Sequence, residues 1–401
     1  MAASVPVTAP AEPTEHRVTR TRIDTVDYLR GLFALSILLY HYYTWGEFGG
    51  GDAVHDVMGK FGIYGVSAFY VISGISFGYV YRELRAERGA LTAFYTKRLF
   101  RIAPLYWIAM AGVLAVPVLN RLIGEPAAFP PLRDVALNLT LAFAYVDPAG
   151  SLLTGGWSIG NELCFYLAFP FVIVGRRGGG WTFAAILGSS VAVGLWFAVA
   201  VLSPDRPLSE QWEAYVHPLN QVYLFVIGVG VSGWIGRAVL PARASWAALV
   251  VLGALFLLLP GGEGSVLVTG WRRVAFSAVC VGICTIGALG TLPLPRPVHR
   301  ALSRLGEMSY SVYLLHPIVW TFTLLALWRV GVRSLALTAA LALPATLLGS
   351  WLVYRWLEAP MIRVGKGVAA RVERGARGDR VHEHDAPRSD RRYAGHRSST
   401  Q

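Results

Sequence analysis

Arg30 and His41 stand eleven residues apart within the apolar run DYLRGLFALSILLYHYY. On a helix that spacing makes three turns plus about 20°, so both side chains project from one face, about 16 Å apart along the axis. A guanidinium is a permanent cation and an imidazole exchanges protons near neutral pH, so such a face pairs an anion-binding group with a base. Ionisable groups inside a membrane helix are costly and mark function by default. Two plainer readings stand beside this one. Arg30 snorkels to an interface with Asp27, one turn away, as its partner. His41 belongs to an aromatic belt with Tyr40, Tyr42, Tyr43 and Trp45.

Further groups share this character. Glu162 lies in Trp157-Ser158-Ile159-Gly160-Asn161-Glu162, at the start of another apolar run. Its expected depth matches that of His41, and a carboxylate beside an imidazole orients it and raises its basicity. A helix-start carboxylate favoured by the dipole is the alternative. Arg98 and Arg101, at i and i+3, form a cationic fork that suits phosphate. They also serve as topology charge or as contacts to anionic headgroups. Ser73 and Gly74, in FYVISG, permit close approach of a neighbouring helix or of a ligand. The run Ser309-Tyr310-Ser311-Val312-Tyr313-Leu314-Leu315-His316-Pro317 carries polar groups that fall mid-membrane and need partners. Glu358 follows Arg355 closely enough to pair with it.

The elements that must position these groups are membrane helices. Of 401 residues, 54% are hydrophobic and only 15% charged, too few charges to coat a soluble surface. Apolar runs of crossing length are expected at 25–45, 61–81, 102–120, 157–175, 181–202, 219–239, 244–260, 270–292, 307–328 and 334–356. The piece 134–146 is too short to cross. The fold class is therefore all-α, a polytopic membrane bundle of about ten helices. The net charge of +12 gathers in short loops and the C-terminal tail. The positive-inside rule explains it better than nucleic acid does, and no phosphate-loop motif is present.

Arg17, Arg20 and Arg22, then the 82–101 arginines, Arg176, Arg177, Arg237, Arg243, Arg296, Arg300 and Arg304, assign both termini to the cytoplasm. Arg272, Arg273, Arg329 and Arg333 run against that assignment. Residues 1–22 form a cytoplasmic tail rather than a signal peptide, and 23–365 form one membrane domain. Residues 366–401 are basic and poor in apolar groups, which predicts a disordered tail. His382 and His384 there flank Glu383 in what reads as solvated sequence. Cys164, Cys280 and Cys284 sit in apolar runs with neither disulfide nor metal spacing.

The motifs R-x10-H at 30–41, FYVISG at 69–74, RLFRIAPLYW at 98–107, WSIGNELCFYLAFP at 157–170, MSYSVYLLHP at 308–317 and YRWLEAP at 354–360 together resemble the acyltransferase-3 family of integral-membrane O-acyltransferases. The resemblance runs over about 25–366, and its order and spacing carry it. It implies about ten spans in the cytoplasmic membrane and a cytoplasmic acyl-CoA donor. It also implies an essential Arg30–His41 pair and an RxxR pair at Arg98 and Arg101. This chain looks like the standalone type, without an appended esterase-like domain. It has Phe69-Tyr70 where the family has two phenylalanines, and Leu163 where a second Glu or Gln often follows.

The expected chemistry is transfer of an acyl group, acetyl or short-chain, from acyl-CoA to a hydroxyl of a sugar, glycan, glycolipid or glycosylated metabolite. No metal and no nucleic acid enter this reading; membrane lipid surrounds it. His41, Glu162 and Arg30 form the expected catalytic group, with Glu162 orienting His41 as general base. Arg98, Arg101, Ser73, Gly74 and Tyr313 form the expected donor-binding group, Ser73 or Tyr313 stabilising an oxyanion. Direct transfer is favoured over an acyl-histidine intermediate. A transporter or flippase accounts for the buried polar groups as a permeation path, but it does not account for an RxxR pair opposite a distant histidine.

Overall fold

The computed structural model describes residues 23–384 other than 123 and 125, with the backbone alone from 377 onward. The N-terminal tail and residues 385–401 lie outside the described residues. Sixteen α-helices follow one another in the described chain. The first six are α1 (Asp24–Trp45), α2 (Gly51–Val80), α3 (Arg88–Leu122), α4 (Leu132–Leu139), α5 (Phe143–Val146) and α6 (Gly156–Arg177). Then come α7 (Gly180–Trp196), α8 (Trp212–Val216), α9 (Pro218–Val231), α10 (Ala242–Leu258), α11 (Gly264–Leu267) and α12 (Gly270–Leu289). The last four are α13 (Arg296–Glu307), α14 (Ser309–Arg329), α15 (Leu335–Val353) and α16 (Ala359–His384). No sheet forms among the described residues, where two isolated bridges join Ile235 to Ala238 and Leu240 to Gly290.

Among the described residues, seven helices are long and apolar enough to cross a membrane, or eight if the bent pair Leu208–Val216 and Pro218–Trp234 counts as one span. Each of the ten expected apolar runs contains a helix, but α1 and α10 fall short of that test and α9 meets it only as part of the bent pair. Helix α1 carries Asp24, Asp27 and Arg30, and α10 has only 17 residues. The 134–146 piece folds as the short α4 and α5. Large apolar side chains such as Leu99, Phe171, Trp181, Val250 and Trp356 face outward. A soluble surface does not tolerate such patches, and hydrocarbon does. These are the features of a multi-pass membrane protein.

Helix α2 is central, packing on α1, α9 and α12. Its approach to α9 is set by glycines. A Cβ on Gly74 would collide with the Phe225 carbonyl oxygen and lie 3.0 Å from the Gly228 Cα. Small residues let backbones meet this closely, the usual basis of packing between membrane helices. Cys280 and Cys284 direct their thiols to the Tyr64 and Ala68 carbonyls of α2, as buried packing residues. Where the end of α2 and the start of α3 meet α6 and α9, the rings of Phe77, Phe94, Tyr166, Phe169 and Phe225 interlock.

The tail expectation needs correction from 366 onward. Helix α16 continues through that point and lies along α3. Ala369 is fully buried, and Lys97 of α3 pairs with Glu373 at 3.2 Å. Small residues make the contact, so apolar content did not announce it. A Cβ on Gly89 would touch Ala376 at 2.5 Å, and one on Gly365 would touch Phe100 at 2.5 Å.

Candidate active site

Two cavities meet inside the bundle. The first, about 230 Å³, lies toward the end that carries the α2–α3 arginines. Arg30 of α1 enters it with Nη1 3.2 Å from Asp27 Oδ1 and Nη2 donating to Ser76 Oγ at 2.7 Å. The Asp27 partner proposed for snorkelling is therefore real, but the guanidinium still lines the cavity. Arg98 of α3 lies over the Phe77 ring at 4.9 Å and donates from Nη2 to Tyr81 Oη at 3.0 Å. Its Nε is buried and has no partner. Arg101, one turn on, is half-buried and lines the same cavity. The cavity thus gathers three guanidiniums, an arrangement that attracts phosphate.

Glu162 enters this same cavity, where it accepts a hydrogen bond from Ser73 Oγ at 2.6 Å. The expected pairing with His41 is thereby corrected. Equal depth along two helices does not fix the direction in which a side chain points, and α6 turns Glu162 toward α2. Ser73 lines the cavity as expected. Gly74 does not; it is spent on the α2–α9 contact described above. Glu358 is corrected too. The turn Tyr354–Glu358 is π-helical, and it buries Glu358, whose Oε2 accepts from Ser311 Oγ at 2.7 Å. Arg355 instead lies over the Trp351 ring. The extra residue of a π turn rotates neighbouring side chains apart.

The second cavity, about 560 Å³, holds His41 among Tyr40, Tyr43, Trp157, Trp212 and Tyr215. His41 stacks on Trp45 with centroids 4.9 Å apart and on His316 at 5.0 Å. His41 Nδ1 lies 3.0 Å from His316 Nε2, and His316 Nδ1 lies 3.1 Å from the Val312 carbonyl oxygen. The tautomers follow from the chain of partners. A carbonyl only accepts, so His316 Nδ1 carries the proton and its Nε2 accepts. His41 Nδ1 is then the donor. That leaves the lone pair on His41 Nε2.

His316 was not singled out by sequence reasoning. The signal was a histidine among the mid-membrane polar groups of 309–317, and its partner was the missing fact. Tyr313, in the same run, forms the wall between the two cavities with Val66. Its hydroxyl contacts Ser158 Oγ at 2.8 Å and donates to the Gly155 carbonyl at 3.0 Å. Gly155 takes φ +78°, a conformation natural to glycine, and a Cβ there would press on Tyr313 Oη. Asn138 holds the approach to Gly155. It donates to the Gly150 carbonyl at 2.9 Å and accepts from Leu152 N at 3.0 Å.

Among the described residues no group of three or more His, Cys, Asp or Glu is placed to hold a metal ion. The side chains of His382, Glu383 and His384 lie outside the described ones.

A family model described as an acyltransferase domain matches residues 23–355. The exopolysaccharide production protein ExoZ of Rhizobium meliloti (strain 1021) is 29% identical over 333 residues, covering 79% of this chain and 94% of that protein. Acyltransferase MdmB of Streptomyces mycarofaciens is 25% identical over 270 residues, covering 63% of this chain and 66% of that protein. No solved structure matches significantly. The arginines, the histidine and the helices that carry them all fall inside the matched region. The transporter reading gives way, and the chain belongs to the acyltransferase-3 family, as an enzyme that transfers acyl groups other than aminoacyl groups.

Proposed function

We propose that this enzyme transfers an acetyl or short acyl group from acyl-CoA, bound through the arginine cavity, to a carbohydrate hydroxyl in the His41 cavity. One observation carries the reading: a cationic cavity and an aromatic cavity holding an imidazole with a free nitrogen share a wall at Val66 and Tyr313. Arg98 and Arg101 meet the donor's pyrophosphate, with Arg30 deeper. The pantetheine arm follows α1 toward His41, a span of about 16 Å.

His41 Nε2 takes the proton of the acceptor hydroxyl as its oxygen attacks the thioester carbonyl. Ser158 can hold the Gly155 carbonyl alone, which releases the Tyr313 proton to the developing oxyanion. Collapse expels the thiolate, and the imidazolium returns its proton to give free CoA. His316 Nε2 accepts from His41 throughout, so the charged ring keeps a partner. Glu162 holds Ser73 and offsets part of the arginine charge.

Aromatic side chains of Tyr40, Tyr43, Trp157, Trp212 and Tyr215 offer flat apolar faces beside Glu263, a lining suited to sugar rings. The name of ExoZ, an exopolysaccharide production protein, supports the same acceptor class. The arginine-rich end faces the cytoplasm under the positive-inside rule, both termini with it, in the cytoplasmic membrane. The test is binding of acetyl-CoA and longer acyl-CoAs to detergent-solubilised protein. Saturable binding lost in Arg98→Ala with Arg101→Ala supports the donor site. No binding at any chain length in folded wild type refutes it.

A further inference from the structure

A third cleft, about 930 Å³, opens between the 80–90 segment, the start of α3 and helix α16. It shares Val80 and Tyr81 with the arginine cavity, just as that cavity shares Val66 and Tyr313 with the His41 cavity. The three spaces form a series with the arginines in the middle. A donor whose thioester points to His41 and whose pyrophosphate meets Arg98 must extend its remaining part the other way. Resting on the donor reading above, we propose that this cleft is the binding site for the 3′-phosphoadenosine end of the donor, with α16 as one wall.

The lining mixes three basic side chains, Arg85, Lys97 and Lys366, with three carboxylates, Glu83, Glu87 and Glu373, so the ion pairs decide which cation is left for a ligand. Tyr81, half-buried, contributes an aromatic face against which a purine can pack, backed edge to face by the buried Phe94 ring with centroids 4.9 Å apart. Lys97 and Lys366 supply cations for a phosphate monoester. Lys97 already pairs with Glu373 of α16 at 3.2 Å, and Arg85 approaches Glu87 at 3.6 Å. Lys366 is exposed and has no ion-pair partner among the described residues, so it is the cation available to a ligand. The opposite wall is pinned from α6: Arg177 donates to the Arg82 carbonyl at 2.8 Å and to the Leu84 carbonyl at 2.6 Å. A cleft with fixed walls can hold a ligand without first being ordered.

The experiment measures binding of CoA, 3′-dephospho-CoA and pantetheine to the full-length protein in nanodiscs, by calorimetry. Wild type is compared with Lys366→Ala and with the paired variant Lys97→Ala, Glu373→Ala, which removes the ion pair without stranding a charge. Charge-assisted contacts of this kind are worth about tenfold to a hundredfold in affinity. The expected result is weaker CoA binding by Lys366→Ala in that range, with dephospho-CoA and pantetheine unchanged. Equal binding of CoA and dephospho-CoA by wild type, or CoA binding by both variants at the wild-type level, overturns the assignment while leaving the donor reading intact. Wild type that binds CoA in no measurable degree refutes the donor reading itself and this inference with it.

Discussion

His41 Nδ1 and His316 Nε2 are 3.0 Å apart, and His316 Nδ1 is tied to the Val312 carbonyl. The second imidazole stands where a carboxylate commonly orients a catalytic histidine. It fixes the proton on His41 Nδ1 without placing a formal charge inside the bundle, where an unpaired buried charge is costly.

Replacement of His316 separates orientation from packing. His316→Gln keeps an acceptor for the His41 N–H and is expected to retain more activity than His316→Leu, which removes it. His316→Leu should cost about 10²-fold or more in kcat, within the usual range for acid–base catalysis, with KM for the donor unchanged. Steady-state kinetics of the two variants check this. Equal loss in both would make His316 a packing residue.

Glu162 binds Ser73 rather than His41. Glu162→Gln is therefore expected to change donor KM, by about tenfold or less, and to leave the pH dependence of kcat in place. A shifted acid limb in the pH profile would return Glu162 to the base.

Arg98 sits over Phe77 and reaches Tyr81, a geometry that suits a planar guanidinium. Arg98→Lys is expected to rescue little of the loss caused by Arg98→Ala, because an ammonium offers no fork and no flat face. Donor affinities measured side by side decide it; full rescue by lysine would mean that charge alone matters.

Gly74→Val should lower thermal stability by about 1–3 kcal/mol or prevent folding, since its side chain meets backbone of α9 and not a movable side chain. In whatever protein folds, donor binding should persist. Selective loss of donor binding at unchanged stability would put Gly74 back in the ligand site.

Much of this arrangement was legible from spacing alone. The eleven-residue interval brought Arg30 and His41 to one face, and the i, i+3 spacing brought Arg98 and Arg101 to one cavity. What escaped was azimuth and partnership. The sequence places Glu162 along a helix but says nothing of which neighbour it turns to. A π turn at Tyr354–Glu358 carries Glu358 inward and away from Arg355, and no residue type announces that turn. The stretch beyond Lys366 lacks apolar bulk, so its docking on α3 through Ala369 and neighbouring glycines left no hydrophobic signature. His316 was visible as a polar group in want of a partner; His41 as that partner required the fold.

The most direct test of the central claim is acyl transfer by His41→Ala. Release of free CoA from acyl-CoA would be followed in proteoliposomes supplied with a carbohydrate-bearing acceptor extract. Wild type is expected to release CoA with acylation of the extract, while His41→Ala is expected to bind acyl-CoA with wild-type affinity and to transfer nothing measurable. Transfer by His41→Ala within a few-fold of wild type would contradict the assignment of the base, and with it the proposed direction of travel between the two cavities.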